Sequence, residues 1–128
     1  MNRYGFALIG SISAILSARL YVSLGGSLNF SIFNHTLHHF YYGLSLLVVA
    51  GLLRIRNKVP ESLIFFVIGL GLGFVTDEFN LLVNIGQRYT LAMYDNPVNL
   101  AMDTFLLIAL MKLSQPQRVL YYLPEREI

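Results

Sequence analysis

The stretch SLIFFVIGLGLGFVTDEFNLLVNI, Ser62 to Ile85, decides how this chain is read. It is almost wholly apolar, and its length suits a helix crossing a hydrocarbon core of about 30 Å. Yet Asp77 and Glu78 stand side by side within it. A carboxylate inside such a span is expensive and calls for a partner or a purpose.

Working outward, three further apolar segments flank it. They run about Tyr4 to Leu24, His38 to Leu53 and Pro97 to Leu113, with the second and fourth short for a span. The breaks are sharp. Leu24-Gly25-Gly26-Ser27 closes the first segment, and Arg54-Ile55-Arg56-Asn57-Lys58-Val59-Pro60 separates the second from the third. Tyr94-Asp95-Asn96-Pro97 opens the fourth, with Asn96 placed as N-cap and Pro97 at the first helical position. Helices satisfy their own backbone polar groups, which is what lipid requires of an open-ended element. The expected fold is an all-α integral membrane bundle of four transmembrane helices, spans about 4–24, 38–53, 62–85 and 97–113. Residues 1–128 form one domain, with an interfacial tail over 114–128.

Composition agrees. Of the 128 residues, 55% are hydrophobic and only 12% charged, too little charge to cover a soluble domain of this size. Without cysteine there is no disulfide, thiolate nucleophile or iron–sulfur cluster. The net charge of +2 is spread without a basic run or basic-aromatic patch, which argues against nucleic acid. Arg3, then Arg54, Arg56 and Lys58, then Lys112, Arg118 and Arg126 mark alternate connections, so the positive-inside rule places both termini in the cytoplasm of a multi-pass plasma-membrane protein. The basic start and Ser17-Ala18 resemble a secretory signal, but the apolar run resumes after Arg19, which suits a retained span.

This topology gathers the polar residues. His35, His38 and His39 fall at the outer end of the second helix. Asp77 and Glu78 lie about 10–13 Å below the outer end of the third, and Asp103 about 9 Å below that of the fourth. Arg19 reaches a comparable depth on the first. Helical phase puts His35, His38, His39 and Tyr42 on one face, and aligns Gly69, Gly73, Asp77, Asn80 and Asn84 in a stripe of small and polar residues suited to the bundle interior. Asn96, Asn99 and Asp103 form a similar stripe, while Glu78 lies about 100° from Asp77 and faces another neighbour.

Imidazoles with carboxylates are a ligand set for a divalent Zn, Fe or Mn ion. Haem is disfavoured, since the three histidines share one helix start and no CxxCH is present. Plainer readings compete. The histidines would serve as interfacial hydrogen-bonding groups, Asp77 or Glu78 as an ion-pair partner for Arg19 or a histidine, Arg19 as a residue snorkelling to the headgroups, and Tyr94 as part of an aromatic belt.

His38-His39 followed by Gly43, then Gly71-Leu72-Gly73 leading into Asp77-Glu78-Phe79, then Tyr94-Asp95 and Asp103, resemble the pattern of a group of small uncharacterised prokaryotic integral membrane proteins. That pattern is a His-His-x-x-x-Gly helix start, a glycine-rich helix ending in Asp-Glu-Phe, and a later Asp. The resemblance covers roughly His38 to Asp103 and implies a site without an activity.

Two functions follow as expectations. One is a metal-dependent membrane hydrolase acting on a lipid or isoprenoid, with His35, His38, His39 and Asp77 as metal ligands, Glu78 as general base and Asp103 orienting. The other is a non-enzymatic ion-binding or transport module, or an accessory subunit, homo-oligomeric or part of a larger membrane complex, with the polar cluster as interhelical glue.

Overall fold

A computed structural model of the chain describes residues 1–24, 30–32, 35–56, 58–80 and 94–116. Among these, four helices carry the architecture: α1 Arg3–Ser23, α2 His39–Ile55, α3 Glu61–Asp77 and α4 Pro97–Ser114. A short antiparallel ribbon lies between α1 and α2. Its strands, β1 Phe30–Ile32 and β2 His35–Leu37, pair Phe30 with Leu37 and Ile32 with His35.

Local chemistry sets several helix ends. Asn2 caps α1 by accepting the Gly5 amide at 3.0 Å. Asn96 caps α4 by accepting the Val98 amide at 2.9 Å, with Pro97 just inside the helix, as the sequence signature requires. Two of the helices, α1 and α4, are long and apolar enough to cross a membrane. The apolar α2 has 17 residues, about 26 Å of rise.

The helices alternate in direction. Arg3 at the start of α1 and Arg54 at the end of α2 each lie 3.4 Å from Glu61 at the start of α3. The Asn2 side chain donates to the Leu113 and Ser114 carbonyls at the end of α4. Those four ends therefore share one end of the bundle, and the opposite ends bring Arg19, Glu78 and Asp103 together.

Packing is close, with α3 touching the other three helices. A methyl group built on Gly69 would overlap the Ala7 carbonyl, so α1 and α3 approach backbone to backbone. The Ser11 hydroxyl donates to the Gly69 carbonyl at 2.9 Å in the same seam. Across the other face, a Cβ on Gly43 would come within 2.6 Å of the Gly71 carbonyl. Small residues consequently fill these seams and many large ones face outward, although Phe40, Ile64, Tyr94 and Leu110 are buried. Ala7, Ala14 and Ala18 are buried, whereas Leu16, Val48 and Phe105 are 63%, 64% and 68% exposed.

Two boundaries differ from the sequence reading. The apolar run predicts a third helix continuing to Ile85; α3 closes at Asp77, helical backbone resumes at Phe79 and Asn80, and residues 81–85 lie outside the described residues. Glu78 leaves helical geometry at φ −117°, ψ 30°, and the Asn80 amide donates to Asn99 Oδ1 at 2.7 Å, so a side chain of α4 takes up a backbone donor near the helix end. The placing of His35, His38 and His39 on one helical face also needs correction. His35 belongs to β2, and His38 is the extended N-cap residue of α2, at φ −85°, ψ 157°. Helical backbone begins only at His39, because the first turn closes from Tyr41 back to the His38 carbonyl at 3.0 Å. Asn84 and the tail beyond 116, including Arg118 and Arg126, lie outside the described residues.

Candidate functional site

At the end of the bundle away from Arg3, two polar groups sit side by side. The first is centred on Asp77, whose side chain is completely buried. Arg19 on α1 donates through Nε to Asp77 Oδ1 at 2.7 Å. The same guanidinium reaches Asp103 Oδ2 on α4 at 3.4 Å and lies 4.0 Å from the exposed Asp95. Beside the snorkelling expected of Arg19, its Nε and Nη2 turn to two buried carboxylates while Nη1 faces the exposed Asp95.

Tyr94 completes this group. The sequence reading places it in an interfacial belt, but it is buried and donates its hydroxyl to Asp77 Oδ2 at 2.5 Å. Its ring also carries the Arg19 guanidinium, with Cζ 4.7 Å from the centroid. Burial, and then the hydrogen bond to Asp77, push the Tyr94 hydroxyl above its usual pKa, so it remains a donor at neutral pH. The Asn99 side chain, fully buried, donates to the Tyr94 carbonyl at 3.0 Å and so fixes the approach of this residue to α4. The only sequence hint of Tyr94's role is its place immediately before the Asp95-Asn96-Pro97 helix start.

The second group is centred on Glu78, also completely buried. Its Oε2 accepts the Phe40 backbone amide at 2.8 Å. His38 offers no side-chain cap, so a carboxylate from the end of α3 supplies the N-terminal acceptor that α2 lacks locally. The other oxygen, Oε1, lies 3.8 Å from Nδ1 of His38 and 3.8 Å from Nδ1 of His39. Glu78 Oε1 and His39 Nδ1 are both buried and make no hydrogen bond among the described residues. Aromatic rings enclose His39, with Tyr21 at 6.2 Å edge-on and Phe74 at 6.0 Å.

The expected ligands are thus divided. Glu78 faces His38 and His39, whereas Asp77 has one oxygen on Arg19 and the other on Tyr94. Asp103 joins the Arg19 group. His35 is placed by its backbone alone, in β2. Among the described residues, no three His, Asp or Glu side chains are already set to hold a metal ion.

Charge defines what this region can take up. Asp77, Glu78 and Asp103 are three buried carboxylates, and the arginine placed against them is Arg19. Fully ionised, they exceed it by two negative charges among the described residues. Buried charge without compensation is strongly unfavourable, and protons on His38, His39 or the acids, or an added cation, would reduce that excess.

No protein-family model matches the sequence, and neither a curated protein nor a solved structure shows significant similarity to it.

Proposed function

We propose that the chain is a multi-pass membrane protein that binds a divalent cation between His38, His39 and Glu78, in competition with protons. One observation carries the reading: Glu78 Oε1, buried and accepting no hydrogen bond among the described residues, lies 3.8 Å from two imidazole nitrogens. Two imidazoles and a carboxylate form a borderline-soft donor set, suited to Zn, Fe or Mn. One divalent ion would also balance the two surplus charges of the region. Bonds of about 2.0–2.2 Å require donor atoms nearer about 3.3 Å apart, so binding draws the start of α2 and the end of α3 slightly together.

The surface supports the membrane setting. Leucine, valine and phenylalanine face outward while alanine, glycine and serine fill the seams, the arrangement of helices solvated by lipid. With Arg3, Arg54 and Lys112 near one end, the positive-inside rule puts the histidines in the outer leaflet of a plasma membrane. The His-His-x-x-x-Gly and Asp-Glu-Phe motifs that resemble those of small prokaryotic membrane proteins are the ones that build the second group.

Binding is favoured over hydrolysis. The general-base role for Glu78 competes with its capping of α2, which already occupies one carboxylate oxygen. Asp77 and Asp103, tied to Arg19, act as interhelical glue rather than ligand and orienting group. Transport would require further copies or a partner complex.

Elemental analysis of detergent-purified protein tests the proposal. Near-stoichiometric Zn, Fe or Mn that is lost in both His39→Ala and Glu78→Gln supports it. Metal-free protein after equilibration with each ion, or metal retained in both variants, contradicts it.

A further inference from the structure

At the opposite end of the bundle, Arg3 and Arg54 converge on a single acid. Each Nη1 lies 3.4 Å from the same oxygen, Glu61 Oε1, so among the described residues the two guanidinium groups exceed this carboxylate by one positive charge. Arg3 is held there by two rings as well, 5.1 Å from Tyr4 and 5.5 Å from Phe65. Below the rim opens a groove of about 410 Å³ between α2 and α3, floored by Leu47, Ala50, Gly51, Ile64 and Ile68. Gly51 borders open space, since a Cβ there would meet nothing within 4 Å.

We infer that this groove seats one acyl chain of an anionic phospholipid, its phosphate held by Arg3 and Arg54. An apolar trough ending in an excess of guanidinium matches that molecule at both ends, and paired arginines suit phosphate oxygens better than lysines would. A zwitterionic lipid would bring its own cation to the rim and lose the charge complement. The inference uses the membrane setting but is independent of the cation site, since none of its residues touches His39 or Glu78.

The test is reconstitution of the full chain into phosphatidylcholine vesicles doped with phosphatidylglycerol, followed by native mass spectrometry of the extracted protein. Phosphatidylglycerol should be retained in preference to phosphatidylcholine, with each arginine contributing about fivefold. Arg54→Gln should lose about that factor. Gly51→Phe should block retention with the charges intact, provided its helical circular dichroism equals wild type. Excess inorganic phosphate should not displace the lipid; displacement would show an anion site rather than a lipid groove. Equal retention of both lipids by a chain that has entered the vesicles overturns the groove alone. A chain that never enters vesicles overturns the membrane setting and the groove together.

Discussion

The Phe40 backbone amide donates to Glu78 Oε2 at 2.8 Å, so the first turn of α2 is closed by a carboxylate from the end of α3. The same side chain presents Oε1 to two histidines. Capping and binding are therefore separable within one residue. Glu78→Gln keeps an acceptor for the Phe40 amide and removes the charge. It should leave unfolding in detergent nearly unchanged while abolishing cation binding. Glu78→Ala removes both, and should lower stability by about 1–2 kcal/mol, the worth of a lost helix cap. Chemical unfolding of the two variants side by side checks this. Equal stability of Glu78→Gln and Glu78→Ala would dismiss the cap.

Breaking the Arg19–Asp77 pair should be costly in either direction. Each single change, Arg19→Met or Asp77→Leu, removes one half of the 2.7 Å pair and leaves Asp77 with Tyr94 alone or Arg19 with the more distant Asp103 and Asp95. About 3 kcal/mol is expected, the low end for a buried pair, because Arg19 keeps partial access to water. The double variant should be much less destabilised than the two changes added together. A double-mutant cycle measured by denaturant unfolding reads this, and strict additivity would mean the pair does not couple.

Tyr94→Phe removes the hydroxyl that donates to Asp77 Oδ2 and leaves the ring under Arg19. The loss should be about 1–3 kcal/mol, the cost of an unsatisfied buried acceptor. Because Asp77 is taken up by Arg19 and Tyr94 and lies outside the proposed cation shell, metal content should stay at the wild-type level. Thermal unfolding with elemental analysis on the same sample separates the two effects.

The α1–α3 seam leaves no room for a side chain at Gly69, where added atoms would strike the Ala7 carbonyl. Gly69→Val should destabilise by about 1–3 kcal/mol through overpacking. A wild-type unfolding midpoint would show that the seam is looser than described.

These contacts also show which features local sequence encodes. The Asn96-Pro97 start of α4 is legible because cap and helix are neighbours in the chain, and the apolar runs between charged breaks mark the four helices. The end of α3 is not legible in this way. Nothing in Asp77-Glu78-Phe79 announces the break at Glu78, which involves Glu78 turning to α2 and Asn99 taking the Asn80 amide. The start of α2 depends likewise on a remote carboxylate, so extending a helical face upstream to His35 misjudges two histidines. For Tyr94 the difficulty is different. A tyrosine near a span end reads equally well as a belt residue or a buried donor, and its partner Asp77 lies on another helix.

Isothermal titration of Zn²⁺ into detergent-purified protein, in two buffers of different ionisation enthalpy, tests cation binding most directly. The account predicts about one ion per chain, with proton release as the metal displaces protons competing for Glu78. Heat and proton release should both vanish in Glu78→Gln at unchanged stability. Absence of saturable binding to the wild type, or an unaltered titration of Glu78→Gln, would contradict it.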